Sequence, residues 1–332
     1  MKAVVIRNHG GPEALSYEEI PEPEPREGHA IVKVRYCAVN RLDTWVRKGI
    51  AGKQLDFPHV LGCDIMGTLL KGFGGFKRGE KVVVYPAVEP DSPRVLLSII
   101  GGFSKYDGGY AEMVQVPKKN IIKKPAWLDD VEACALNVSY LTAWNMLQKS
   151  RCKKGDTVLI WGASGGVGSA SIMLARALGF RIIAVASGKQ KAERARQIGA
   201  HFVIDRSKDD VMMETLRHTS EVGVDAVIDH VGAKTWHESI EVLSVGGRMV
   251  TCGTTSGPEA TVNIRALYSK EASILGAYLG SREQLASLHR FMRLKKIRPI
   301  IDSVFDLKDA GAAHSRMEAS SQFGKIILKI PS

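Results

Sequence analysis

The run Val158-Leu159-Ile160-Trp161, followed by Gly162-Ala163-Ser164-Gly165-Gly166-Val167-Gly168, constrains this chain more than any other stretch. An apolar, strand-like run stops at glycines, and a helical stretch, GVGSASIMLARALG, starts among them. Glycines there allow a tight turn and let a backbone approach a phosphate closely. The helix start presents unbonded N–H groups to an anion. Downstream, apolar and amphipathic segments alternate: FRIIAVAS then KQKAERARQIGA, FVID then KDDVMMETLRHTS, VDAVIDHVG then WHESIEVLSVGG, and finally RMVTCG and EASILGAY. Short continuous apolar strands separated by helices predict an α/β fold, a doubly wound parallel sheet covered on both faces. In that setting Ser164, Gly165, Gly166 and Val167 read as a dinucleotide-binding loop; taken alone, the glycines mark only a tight turn.

The end of the second strand selects the dinucleotide. AVASGKQK, residues 184–191, carries no acid to hold ribose hydroxyls. Ser187 and Lys191 stand there instead, and Arg206 follows the third strand in VIDRS. Cations hold a 2′-phosphate by charge-assisted bonds, which a carboxylate would repel, so NADP(H) is expected. Two alternatives stay open: Lys191 on a solvated helix face, and Asp205 paired with Arg206.

With 332 residues, two domains are the default. The first ~120 residues, with HAIVKVRYCAVN, EKVVVYPAV and GGYAEMVQVP, predict a mostly antiparallel, barrel-like domain. WLDDVEACALNVSYLTAWNMLQKS predicts one or two helices, SREQLASLHRFMRLKK another, and FGKIILKI a closing strand that returns to the first domain. The net charge of +11 and pI near 9.4 favour anionic partners, either nucleic acid or a phosphorylated cofactor. The charges are dispersed, and the densest cluster, FMRLKKIRP, reads as a solvated helix end, so nucleic acid is not expected. Cys37, Cys63, Cys134, Cys152 and Cys252 form no CxxC pair, which predicts reduced thiols and argues against a structural zinc. No apolar run reaches the ~18 residues of a membrane span. Met1 leads into the strand-like AVVIRNHG rather than a signal peptide, and a cytoplasmic protein is expected.

PHVLGCDIMG places Cys63 beside Asp64, either the start of a metal site or the trace of one. Together with VNRLDTWVRKG, GGYAEMVQVP, LTAWNML, the glycine loop and GKIILKI, in that order, it makes the chain resemble the medium-chain dehydrogenase/reductases. The resemblance is strongest to their zinc-free quinone oxidoreductase branch and the alcohol dehydrogenase-like proteins near it. It implies a GroES-like β-barrel domain over 1–138, completed by 278–332, and a Rossmann NADP-binding domain over 139–277. The active site would lie in the cleft. It also implies a homodimer or homotetramer, with EASILGAY as the candidate pairing edge.

In zinc-dependent members the catalytic ligand positions fall on Asn40, Cys63 and Val138 here, a set poorly suited to zinc. The lobe that carries structural cysteines in those relatives is replaced by VEPDSPRVLLSIIGGFSKYD. The expectation is therefore a protein without zinc. The resemblance further implies cofactor contacts at Asn40, Thr142, Asp229, Val231, Cys252, Gly253, Thr254, Leu275, Gly276, Ala277 and Lys325. Asn40 would donate to the substrate oxygen or position the nicotinamide, or simply form a turn after its strand. Cys63 would line the pocket or pack, Asp64 would pair with a basic neighbour, and Trp45 would wall the substrate pocket or pack in the core. The activity implied is hydride transfer to a ketone, quinone or activated alkene. Oxidation of simple alcohols, or NADPH binding without catalysis in an RNA-associated protein, are the alternatives.

Overall fold

The computed structural model describes residues 1–51, 53–89 and 96–331. The chain divides into two units, Met1–Val138 with Arg298–Ser332, and Ser139–Ile297.

In the second unit six parallel strands run in the order Phe202–Asp205, Arg181–Ala186, Thr157–Ile160, Val224–Asp229, Leu243–Thr251, Ser273–Gly276. The chain starts in the middle of the sheet and winds outward first to one side, then to the other. A switch point therefore lies between Thr157–Ile160 and Val224–Asp229. Leu159, Trp161, Ile183, Val185, Val227 and Met249 bury their side chains in its core. Helices Gly166–Leu178 and Ser139–Ser150 pack together, and Gly179, at φ 83°, ends the first in a left-handed cap. Ser273–Gly276 forms one edge of the sheet.

Two expectations are corrected. WHESIEVLSVGG is not one helix: the helix stops at Glu241 and a strand begins at Leu243. Val224 pairs with Leu243, then the register jumps to Ala226 opposite Arg248. Gly246, at φ 74°, turns the backbone between them, and this irregularity absorbs the polar and glycine residues that imitate a helix end. The second domain boundary lies at 297/298 rather than 277/278. Helix Arg282–Lys295, capped reciprocally by Ser281 and Gln284, packs on Ser139–Ser150. The Trp144 and Phe291 rings lie 4.9 Å apart, and Trp144 Nε1 donates to Ser287 Oγ at 3.1 Å.

The first unit is organised by the long strand His29–Val39. It pairs antiparallel with Asp64–Leu69, Met113–Pro117 and Lys325–Lys329. The last of these also runs parallel to Ile301–Asp306, so the end of the chain is built into this sheet. A smaller sheet joins Ser16–Glu19, Lys2–Ile6 and His59–Val60. Val4, Val32, Val34, Leu61, Ile65, Ile326 and Leu328 belong to the common core. Register also decides which polar side chains meet. Ile326 lies opposite Val39 and Asp64 opposite Ala38, which brings Lys325, Asn40 and Asp64 together. Of VEPDSPRVLLSIIGGFSKYD, residues 90–95 lie outside the described residues; Ser98–Ile99 pairs with Ala87–Val88. Among the described residues no helix is long and apolar enough to cross a membrane.

Candidate active site

Because all six strands of the second unit are parallel, the segments that follow them emerge along one edge of its sheet, where open α/β sheets bind ligands. The glycine loop follows Thr157–Ile160. Gly162 takes φ 59°, and a Cβ on Gly168 would lie 2.1 Å from Gly162 O, so this turn closes only around glycine. Helix Gly166–Leu178 has Gly165 as its N-cap and no side chain capping it. Its first N–H groups are thus left for an anion. Ser164, Gly165, Gly166 and Val167 are half-buried along this turn.

Ala186 and Asp205 are paired in the sheet, so Ser187 and Arg206 emerge side by side, both exposed. Arg206 N donates to Ala186 O at 3.0 Å. Asp205 Oδ1 accepts from Gly188 N at 2.8 Å and from Ser207 N and Oγ at 3.1 and 2.7 Å. Its carboxylate thus fastens the loop, and its pKa is lowered first by the Ser207 hydroxyl, then by the Gly188 N–H. Lys191 lies half-buried on the helix that follows, Lys189–Gln197.

On the other side of the switch point stand His230, Val231, Cys252, Gly253 and Thr254, with Leu275, Gly276 and Ala277 at the outer strand. Ala277 N donates to Thr251 O at 2.7 Å. Burial pushes the Cys252 thiol up to about 12, so it stays protonated at neutral pH. Thr142 is buried in helix Ser139–Ser150. Asp229 departs from its expected part. Its carboxylate is fully buried, with Oδ1 taken by Val231 N and Gly232 N at 2.7 and 3.1 Å, and Oδ2 by Thr235 Oγ1 and Ser239 Oγ at 2.7 and 2.8 Å. Asp229 shapes the His230–Gly232 turn and has no side-chain oxygen left for a dinucleotide. His230 itself went unmarked in the sequence. A Cβ on Gly162 would come within 2.7 Å of its Nε2, so the imidazole covers the glycine loop.

The first unit holds a buried polar cluster. Lys325 Nζ donates to Asn40 Oδ1 at 2.6 Å, Asp64 Oδ2 at 3.0 Å and Val39 O at 3.2 Å. Asn40 Nδ2 lies 3.0 Å from Asp64 Oδ2, 3.3 Å from Ala38 O and 3.5 Å from Cys63 Sγ. Val138 N donates to Asp64 Oδ1 at 2.8 Å, and Cys134 Sγ approaches Asp64 O at 3.3 Å. Asp64 is fully buried and Lys325 is 2% exposed.

This corrects two expectations. The Asn40 amide is turned inward, with its donors and its acceptor engaged by the cluster. The three donors of Lys325 meet three oxygens of this same unit, which leaves none for a cofactor. Asp64 has the basic partner expected of it. Trp45 is half-buried on helix Arg41–Lys48.

Deeper in, Asp43 Oδ2 accepts from Asn40 N at 2.7 Å and Tyr110 Oη at 3.1 Å, and Tyr110 Oη lies 3.0 Å from His314 Nε2. Burial raises Asp43 to about 7 against the pull of the Asn40 N–H and the Lys325 charge. Burial, with the Arg47 charge, lowers His314 to about 3. Burial and then the Asp43 and Asp64 charges hold the Cys63 thiol well above its ordinary range. Neither Tyr110, inside GGYAEMVQVP, nor His314 was singled out by the sequence; the packing of three distant segments joins them to Asp43.

The two units together define an oxidoreductase built from a GroES-like domain and a dinucleotide-binding Rossmann domain. Residues 26–126 match the family described as "Alcohol dehydrogenase GroES-like domain" and residues 166–293 the one described as "Zinc-binding dehydrogenase". The chain is 31% identical over 341 residues to a quinone oxidoreductase of Lama guanicoe, covering 99% of this chain and 97% of that one. It is 29% identical over 361 residues to a crotonyl-CoA reductase of Streptomyces avermitilis, covering 94% and 81%. A solved NAD-dependent alcohol dehydrogenase superposes with a TM-score of 0.93 at 35% identity over 100% of both chains. The chain belongs to the medium-chain dehydrogenase/reductase superfamily, in its quinone oxidoreductase-like branch.

The zinc that one of these descriptions implies does not suit the residues present. Asn40 and Val138 offer no soft or imidazole ligand, Cys63 is held as a thiol, and Asp64 Oδ2 is taken by an ammonium and an amide. Among the described residues no group of three His, Cys, Asp or Glu is arranged to hold a metal ion.

Proposed function

We propose that the protein is an NADP(H)-dependent, zinc-free reductase of ketones, quinones or activated alkenes. The observation that carries the cofactor choice is that Ser187 and Arg206 follow the paired strand ends Ala186 and Asp205, while the Asp205 carboxylate is folded back onto its own loop. A nicotinamide held there would supply hydride chemistry at an electrophilic carbon.

The chain's own residues do the rest. The N-terminus of Gly166–Leu178 neutralises the pyrophosphate, Arg206, Ser187 and Lys191 hold the 2′-phosphate, and His230 covers the loop. Asn40 is held at one orientation by Lys325 and Asp64, so its contribution is to position groups around it. The quinone oxidoreductase and crotonyl-CoA reductase relatives support quinones and enoyl compounds as the first substrates to try.

The test is consumption of NADPH against a quinone, an enone and an aryl ketone, beside NAD(P)+-dependent oxidation of an aliphatic alcohol. Turnover with at least one of the three acceptors is expected. Rapid alcohol oxidation with none of them overturns the reading. So does a markedly tighter affinity for NADH than for NADPH. A second reading, an NAD-dependent alcohol dehydrogenase, draws on the solved relative of that name and on the Asp205 carboxylate near the ribose end. RNA binding without turnover would favour the non-catalytic alternative. The edge strand Ser273–Gly276, with Tyr268 and Tyr278 exposed nearby, is the surface by which copies would pair. Five free cysteines suit a cytoplasmic, reducing setting.

A further inference from the structure

We infer that the ammonium of Lys325 is the built-in cation of the buried centre formed by Asn40, Cys63 and Asp64, and that it bars a divalent metal from that centre. The inference deepens the zinc-free part of the reading above and rests on it. Three observations carry it. Lys325 Nζ has three protons, and three oxygens surround it, Val39 O, Asn40 Oδ1 and Asp64 Oδ2, at 3.2, 2.6 and 3.0 Å. Those oxygens come from the end of strand His29–Val39, the residue after it, and the start of strand Asp64–Leu69. A shared bonding partner on separate strands is what a small cation would supply. Second, Cys63 Sγ borders the same space, 3.5 Å from Asn40 Nδ2. The centre therefore offers a sulfur, a carboxylate oxygen, an amide oxygen and a backbone carbonyl, a donor set a divalent ion could use if the seat were empty. Third, Lys325 and Asp64 are nearly inaccessible, so their charges neutralise each other. Each would be costly alone.

A metal entering the centre would have to displace the ammonium from Asp64 and leave it buried without a counter-charge. Removing the lysine side chain reverses the situation. Asp64 is then a buried, uncompensated carboxylate beside a thiol and two carbonyl oxygens, and a divalent cation relieves it. The centre would then bind metal where the native chain does not.

The test uses the full chain. Wild type, Lys325→Ala and Lys325→Ala/Cys63→Ser are incubated with cobalt(II), freed of excess metal and analysed for cobalt per chain and for thiolate-to-cobalt charge-transfer absorption. Wild type is expected to retain none. Lys325→Ala is expected to retain about one cobalt per chain with the charge-transfer band, and the double variant to lose the band. A folded Lys325→Ala chain without cobalt overturns the inference, as does stoichiometric cobalt in wild type whose band disappears in Cys63→Ser.

If Lys325→Ala fails to fold, Lys325→Met, which keeps the volume and removes the charge, decides the matter. Its melting temperature is expected to fall and to recover in Lys325→Met/Asp64→Asn, where neither charge remains. No recovery overturns the inference. None of these readouts uses turnover. Inactivity towards quinones and enones alongside the expected cobalt results would sink the proposed reaction and leave the cation assignment standing.

Discussion

The strand-end edge of the Rossmann unit and the Lys325 centre of the GroES-like unit answer the same problem, holding charge in a folded chain, in opposite ways. At the edge the charge-bearing groups are backbone N–H groups at a helix start and exposed side chains such as Arg206, and they are left for a ligand. In the centre every donor of Lys325 and Asn40 is already matched by an acceptor of the protein, and Asp64 is closed off by Val138 N. The first arrangement costs little to leave open because water solvates it. The second survives burial only because it is complete. An open arrangement is available to a ligand; a closed one holds the fold.

The contrast can be broken in four places. The largest effect is expected from Gly168→Val, whose Cβ would lie 2.1 Å from Gly162 O. NADPH affinity, followed by nicotinamide fluorescence, should weaken by about 100-fold or more, while far-ultraviolet circular dichroism stays native. Affinity within a factor of ten of wild type would mean that this loop is not the phosphate cradle.

Next is Asp64→Ala, which leaves the Lys325 ammonium buried without its partner. Urea denaturation should show a loss of about 3–5 kcal/mol. A cost under about 1 kcal/mol would place the pair with weakly coupled surface charges instead.

The third concerns pH. Asp43 titrates near 7 in the fold, above its unfolded value of about 4, so the native state holds the extra proton. Its contribution is fully present below pH ~4 and is lost as pH rises towards 7. His314, lowered to about 3 from an unfolded value near 6.5, acts in the opposite sense: its contribution is present above ~6.5 and is lost as pH falls towards 3. Asp43→Asn should therefore make stability rise more steeply between pH 4 and about 6.5 than in wild type, and His314→Gln should flatten or reverse that slope. Parallel curves for all three proteins would show that neither group carries the pH dependence.

The smallest effect is expected from Arg206→Ala. NADPH should bind about five- to tenfold more weakly, with NADH unchanged. An equal loss for both cofactors would remove Arg206 from the 2′-phosphate site.

The two regions also differ in how well they could be read from the residues. Gly162–Gly168 and the alternating segments after it announced a doubly wound sheet because each strand, turn and helix there is a local event, set by neighbouring residues. Ser187 and Arg206 come side by side because they follow the paired Ala186 and Asp205, which sheet order alone decides. Where local signals conflicted, reading failed. SVGG imitates a helix end, yet the strand pairing of Leu243 with Val224 outweighs it. Asp229 is a cofactor contact only by the family resemblance, and its carboxylate is bound within its own turn. Helix Arg282–Lys295 went to the wrong domain because its partner surface on Ser139–Ser150 lies far away in the chain.

Residue type, short-range spacing and the order of motifs were enough to give the class of fold and to put the glycine loop between a strand and a helix. The resemblance to the family, and not spacing, put Asn40, Cys63 and Val138 at its zinc-ligand positions. That Lys325 is bonded between Asn40 and Asp64 emerges only in three dimensions. Lys325 is 261 residues from Asp64 in the chain, and nothing in GKIILKI distinguishes a buried ammonium from a solvated one. The register of Lys325–Lys329 against His29–Val39 delivers it to Asn40 and Asp64. A charge can stay at that depth only where a specific partner waits, and that partner is supplied by strand pairing across the whole length of the chain.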